Sequence, residues 1–316
     1  MSHDNWIEKR KGKISASNVA AILGLKPFGK TPLDAWLDIK GLRTKDVDDK
    51  SKRQGRYIES ALANIYTADT GCELVIVDEP LIHPKLSWLC GTPDRLIKGN
   101  QKGVEIKNVG KFMAHGFGTP GTDEIPDYYL VQVSMYMAIT MYPVFDVYAS
   151  IAGEYPEVYP IERDIELENI ILGKLDEWYK AYIVGNREPE IDSSQSCADY
   201  LASKYPRNFK PLKSADDATE QLIQRLAAVR YSLKSFGEQE EIIKNLLKNY
   251  IGDADGVQGQ SGKCTWKKIT DSSIIDYESL ASELLTVLPK EEKNKYINKY
   301  TIIREGNRRF LFKGSK

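Results

Sequence analysis

Between Asp94 and Lys107 the chain has little conformational freedom. Gly103-Val104-Glu105-Ile106-Lys107 alternates as a β-strand does, with Val104 and Ile106 directed into a core and Glu105 and Lys107 on the opposite face. Gly99-Asn100-Gln101-Lys102-Gly103 before it reads as a turn, and Arg95-Leu96-Ile97 before that as the partner strand. The pair folds as an antiparallel hairpin. A hairpin of this length sets Asp94 and Glu105, eleven positions apart, across from each other at one end.

Two acids meeting beside a lysine suit one chemistry. Hydrolysis of a phosphodiester requires stabilisation of negative charge and an ionised water near neutral pH, which a divalent cation held by hard oxygen ligands provides. Asp94 and Glu105 offer the carboxylates. Lys107, two residues on, is placed to orient or deprotonate the water or to offset charge on the phosphate. Taken singly, a Glu-x-Lys pair on a strand is an ordinary ion pair. The set also includes Gly91-Thr92-Pro93 ahead of Asp94 and Gln132 in a helix-like stretch, and together they point to a nuclease.

With these residues in view, the chain resembles the PD-(D/E)XK nuclease superfamily, and within it the lambda-exonuclease/YqaJ-type viral recombinase family. The resemblance covers about residues 5 to 185 and rests on ordered blocks. These are Trp6-Ile7-Glu8-Lys9-Arg10 through Ile14-Ser15-Ala16-Ser17, Ala20-Ala21-Ile22-Leu23-Gly24, Thr31-Pro32 with Trp36, Gln54 to Glu59, Gly91 to Asp94, Glu105 to Lys107, and Tyr129 to Val133. It implies an α/β fold with a restriction-endonuclease-like core, a central mixed β-sheet flanked by helices. It also implies roles. Asp94 and Glu105 would ligate Mg2+, with Mn2+ as a substitute. The Ile106 carbonyl would be a backbone ligand and Glu59 a further carboxylate, direct or through water. Lys107 would be the catalytic lysine, and Gln132 would contact the scissile phosphate or position the water. Arg10, Ser17 and Thr92 match positions that bind a terminal 5′-phosphate. Arg10 suits that task because its planar fork donates two bonds at once. Ser17, at a helix start, offers a hydroxyl beside free backbone N–H groups, although a serine there also serves as an ordinary N-cap. Thr92 stands where serine is common and keeps the hydroxyl.

Composition narrows the alternatives. The three histidines are scattered, which excludes a histidine-built zinc site; His83, before Pro84, and His115 both read as loop residues. Four cysteines at 72, 90, 197 and 264 form no CxxC pair and lack the clustering of an iron–sulfur site. The N-terminus is polar and no apolar run spans a bilayer, so a cytoplasmic protein is expected, and the resemblance implies the bacterial host of a phage or prophage. A net charge of −1 is unusual for a DNA-coating protein. Local basic clusters offset it: Lys9-Arg10-Lys11 with Lys13, Lys50 to Arg53 with Arg56, and Lys204 to Lys213.

Residues 1–190 read as the catalytic domain, 191–213 as a connector, and 214–316 as a C-terminal extension of long helix and small sheet. Helices are expected near 16–24, 31–40, 52–70, 128–141 and 164–184, and strands near 73–78, 86–90, 94–98, 103–107, 145–151 and 157–159. Gly116 to Pro126 reads as a mobile loop, placed either to close over DNA or simply on the surface. In the extension, Leu222, Leu226, Val229, Leu233 and Phe236 recur at four and three, and Ile243, Leu246, Leu247 and Tyr250 continue a coiled-coil-like seam. Strands are expected at Lys263–Lys267 and Arg309–Lys313, with a short helix near 276–288.

The leading expectation is an Mg2+-dependent 5′-to-3′ exonuclease that digests linear double-stranded DNA and leaves 3′ single-stranded tails for annealing recombination. The resemblance implies a ring-shaped homo-oligomer, trimer or tetramer, and a single-strand annealing protein as partner. Two alternatives stay open: a structure- or sequence-specific endonuclease of restriction or repair type, and a DNA-binding module without catalysis.

Overall fold

The computed structural model describes residues 9–42, 50–206, 212–271, 273–302 and 311–312. The chain divides into two compact units, Met1–Tyr205 and Pro206–Lys316. Trp6, Ile7 and Glu8 of the opening block lie outside the described residues, as do Arg309, Phe310 and Lys313 of the expected last strand and part of the Lys204–Lys213 cluster.

The first unit begins with β1 (Ile14–Ser15), α1 (Ala16–Ile22), α2 (Pro32–Lys40) and α3 (Lys50–Thr70). Then come β2 (Leu74–Ile76), β3 (Leu81–Ile82), β4 (Leu89–Gly91), β5 (Arg95–Ile97) and β6 (Lys102–Val109). It continues with α4 (Asp127–Thr140), β7 (Val144–Ile151), β8 (Glu157–Glu162), α5 (Ile165–Trp178) and α6 (Gln195–Lys204). The main sheet has the order β2-β5-β6-β7-β8. Its one parallel pair, β6 with β7, is joined across the sheet by α4, and its other pairs are antiparallel. This is the expected mixed sheet flanked by helices. A smaller sheet, β1-β4-β3, sits beside it, with β1 parallel to β4.

Two cores hold helices to the main sheet. On one side, Leu62, Ala63 and Tyr66 of α3 pack with Ile97, Val104, Ile106 and Tyr148. On the other lies the larger cluster of α4, α1 and α5 residues with Phe145, Val147 and Ala149. α4 is apolar all round, which suits a helix enclosed between sheet and helices. Its approach to β4 depends on Gly91, where a Cβ would lie 2.9 Å from both Ile139 Cδ1 and Tyr136 Cδ1.

One segment differs from expectation. Part of the polar stretch after residue 190 is helix α6, tied to the first unit: Cys197 packs with Leu33, Trp36 and Leu37 of α2, and Ser196 Oγ donates to Asp34 Oδ1 at 2.6 Å. Asp34 also closes the capping box with Thr31 at the start of α2. The Gly116–Pro126 stretch is the expected surface loop, with a few backbone ties. Gly121 N–H donates to Val158 O on β8 at 2.8 Å, Gly118 N–H donates to Glu124 O, and Ile125 is buried.

The second unit contains α7 (Asp217–Ile251), the hairpin of β9 (Gly256–Gly259) and β10 (Gly262–Thr265), and helices α8 (Tyr277–Thr286) and α9 (Lys290–Tyr300). Among the described residues, no helix is long and apolar enough to cross a membrane.

Candidate active site

The site forms where β5 stops and β6 continues. The register pairs Leu96 with Gly103 and Arg95 with Val104. The next pair would be Asp94 with Glu105, but β5 has ended there. Asp94 instead folds over the open edge, and its Oδ2 accepts a hydrogen bond from the Ile106 backbone N–H at 2.8 Å. The Ile106 carbonyl lies on the same edge of the strand as its N–H.

Glu105 is almost fully buried. Its Oε1 accepts from Lys107 Nζ at 2.6 Å and from Gln132 Nε2 at 2.8 Å, while its Oε2 is buried with no partner. Lys107 Nζ also stands 4.8 Å above the Tyr129 ring centroid. Gln132 Nε2 donates in addition to Tyr136 Oη at 2.9 Å. α4 therefore presents Tyr129, Gln132 and Tyr136, at helical spacings of three and four, along one side of the acids.

The electrostatics follow from burial and crowding. Burial, then the neighbouring Glu105 carboxylate, push the Asp94 pKa up to about 7. Burial opposes charge on Lys107 as well, but Glu105 and Asp94 outweigh it and hold the ammonium above its ordinary value. Tyr136 is raised well above its usual value by burial, with Glu105 and Asp94 adding to the effect.

Glu59, from α3, lines the same cleft as Asp94, Lys107 and Asn108; the cleft is about 520 Å³. Its Oε1 is held by Arg95 Nη1 at 2.8 Å. Burial and the Asp94 charge raise its pKa all the same.

The residues matched to end binding gather next door. β1 and β4 run parallel with Ser15 opposite Cys90, and Ser17 and Thr92 stand two residues beyond each, at the same end. Arg10 Nη2 donates to Ser17 Oγ at 3.1 Å, and Ser17 Oγ is 3.1 Å from Ser15 Oγ. Burial lowers the Arg10 pKa, against the opposing effects of Cys90, Tyr136 and Asp38, which places the guanidinium in the neighbourhood of Tyr136. Thr92 Oγ1 is buried without a partner.

A hard divalent cation fits this donor set. Glu105 Oε2 is an orphaned carboxylate oxygen, and the two acids repel one another until a cation lies between them. Among the described residues no three acidic, imidazole or thiol groups form a closed cage. An open site with one or two carboxylates is what magnesium accepts, since it keeps several waters and shares substrate oxygens.

All nine residues picked out in the sequence thus fall on one sheet end and its neighbours. Four further residues beside the site were given no role from the sequence: Arg95, Tyr129, Tyr136 and Asn108. The two tyrosines carried a signal, at −3 and +4 from Gln132 on a helix. Arg95 and Asn108 carried none beyond adjacency to Asp94 and Lys107.

Residues 5–143 match the model of the YqaJ-like viral recombinase domain. Every residue of the candidate site lies inside the matched span. The chain is also 28% identical over 309 residues to "Uncharacterized protein YqaJ" of Bacillus subtilis (strain 168), covering 96% of this chain and 94% of that one. Among solved structures, it is similar to an alkaline exonuclease from Laribacter hongkongensis (TM-score 0.47, 20% identity, 57% of this chain and 94% of that chain). It is similar also to a phage-related exonuclease from Haemophilus somnus 129PT (TM-score 0.41, 15% identity, 55% of this chain and 96% of that chain). The YqaJ-like match ends just before β7, so β7, β8 and the second unit lie beyond it.

Proposed function

We propose that this protein is a metal-dependent deoxyribonuclease, an exonuclease that digests linear double-stranded DNA from its 5′ ends and leaves 3′ single-stranded tails. The first unit holds the catalytic machinery, and the tails serve a single-strand annealing protein in phage-type recombination. A ring-shaped homo-oligomer, trimer or tetramer, is part of the same reading. The observation that carries it is the buried, unpartnered Oε2 of Glu105, whose Oε1 accepts from Lys107.

Asp94 and Glu105 hold Mg2+, or Mn2+ in its place, with the Ile106 carbonyl beside them and Glu59 reached through water or by release from Arg95. The bound cation supplies charge neutralisation at the attacked phosphate and acidifies water. Lys107, kept charged by its two acids, orients the attacking water and offsets phosphate charge. Once a cation takes up the charge of the two acids, the same amine is placed to deprotonate the water. Gln132 divides its amide N–H groups between Glu105 and Tyr136, which leaves its carbonyl to steer the water. Arg10, Ser17 and Thr92 take the terminal 5′-phosphate through a guanidinium fork and two hydroxyls. That pocket favours an end over an internal site, and hence the exonuclease over the endonuclease reading.

The deciding experiment is degradation of a linear duplex in magnesium, with 5′-phosphorylated and 5′-hydroxyl ends compared against a closed circle, and Lys107→Ala as control. The proposal expects loss of the linear duplex alone, faster with the phosphate and absent in the variant. Cleavage of the circle would replace it with the endonuclease reading. Inactivity on every substrate would leave a binding module.

A further inference from the structure

The second unit presents a long helix with a seam that the other described residues of that unit leave open. α7 has 35 residues, about 52 Å of helix at ~1.5 Å per residue. Leu222, Leu226, Val229, Leu233, Phe236, Ile243, Leu247 and Tyr250 follow one another at four and three, with a single break at Glu240. Of these, Leu222, Val229, Leu233, Phe236, Ile243 and Tyr250 are each more than half exposed. A strict seven-residue repeat matches another helix that supercoils with it, rather than a flat surface.

The charges select the occupant. Glu240 is the one charged residue at a seam position and lies 2.9 Å from Lys244. In a parallel pair with a second copy, Glu240 would face its own equivalent across the seam. In an antiparallel pair centred between Lys234 and Ser235, the layers become Leu222 with Leu247, Leu226 with Ile243, Leu233 with Phe236, and Glu240 with Val229. Arg225 and Arg230 flank Val229 on the partner helix, so each seam carboxylate meets two guanidinium groups. Arg230 stacks on the Phe312 ring in the single chain, at 5.1 Å, and presents its charge beside the seam.

We propose that α7 is a self-association surface whose occupant is α7 of a second copy, antiparallel and two-fold symmetric. The proposal is independent of the catalytic reading, because it rests on the second unit alone.

The test uses the full chain and light scattering coupled to size exclusion. Leu233→Glu with Phe236→Glu, both at exposed positions, is expected to halve the particle mass, whatever number of copies the first unit assembles. Cross-linking reads the direction. In a Cys72→Ser, Cys264→Ser background, Leu226→Cys protein is mixed with Ile243→Cys protein. The antiparallel pair gives the mixed disulfide dimer. Disulfides only within each single variant would overturn the antiparallel register. An unchanged mass in the double glutamate variant would overturn self-association through this seam, as would a seam engaged only by a different protein in a species holding one copy of this chain.

Discussion

Asp94 and Ile106 are joined by a 2.8 Å hydrogen bond from the Ile106 backbone N–H to the Asp94 carboxylate. The side chain thereby substitutes for the strand residue that β5 lacks, and the strand edge that would have been covered becomes the wall of the cleft. One oxygen of Asp94 has a structural task, and the other is available to a ligand.

The first prediction separates these tasks. Asparagine at 94 keeps a carbonyl oxygen to accept from Ile106, so Asp94→Asn folds. It removes one charge from a pair that repels, and the metal-free variant is therefore more stable than the parent. The sign follows from the raised pKa of about 7. The folded parent binds more protons than the unfolded chain between pH ~4 and 7, so its stability falls across that window as the pH rises. The advantage of the variant is small near pH 4, grows to pH 7 and is level above. Thermal unfolding in chelator reads this. In millimolar Mg2+ the order reverses, because a cation stabilises only the protein that binds it. A variant that is less stable than the parent at pH 8 in chelator would refute the repulsion.

Lys107→Ala separates binding from chemistry. Removing the cation that pairs with Glu105 leaves more negative charge for Mn2+, so calorimetric affinity for Mn2+ is kept or strengthened. Turnover falls by roughly a hundredfold to ten-thousandfold, the usual range for a positioned proton-transfer or electrostatic group. Loss of Mn2+ binding together with activity would make Lys107 a structural member of the site instead.

Arg10 and Thr92 test the end pocket. Arg10→Ala removes a charge-assisted bond worth about 1.5–3 kcal/mol. The preference for a 5′-phosphorylated over a 5′-hydroxyl duplex then shrinks by roughly tenfold to a hundredfold in kcat/KM, while hydroxyl-ended duplex is cut as before. Thr92→Val keeps volume and removes a hydroxyl that is buried without a partner. It leaves DNA-free stability unchanged or raised, since an unsatisfied polar group disappears, and it weakens phosphate preference alone. A stability loss of several kcal/mol would show that the hydroxyl serves the fold.

The hairpin carrying Asp94 and Glu105 was legible because strand alternation, a turn and two acids all agree within one short stretch. The helices over 16–22, 32–40, 50–70 and 127–140 were legible from caps and length. The two-residue strand β1 was not, because its pairing with β4 joins segments some seventy positions apart and leaves no local periodicity. α6 was missed for a related reason: its few apolar positions, such as Cys197, acquire meaning only against Trp36 and Leu37. The hold of Arg95 on Glu59 was likewise invisible, since it depends on how α3 lies across β5.

His83 yields the last prediction. It does lie in a loop, yet it is buried, and its Nδ1 accepts from the backbone N–H groups of Lys85 at 3.1 Å and Leu86 at 3.0 Å. That arrangement requires a neutral ring with Nδ1 unprotonated. Burial lowers its pKa; Glu168 opposes the shift, while Arg163 and Lys85 add to it. The folded pKa is thus below the unfolded value of about 6.5. Stability from this residue is complete above that value and is lost as the pH falls through it, because the unfolded chain takes up the proton first. His83→Asn supplies an acceptor oxygen for the same N–H groups and does not titrate. Urea midpoints measured from pH 7.5 down to 5.5 should fall more steeply for the parent than for the variant, with all other titrations common to both. Parallel midpoints across that range would mean that the imidazole keeps its ordinary pKa and that its two backbone bonds are not what holds the loop.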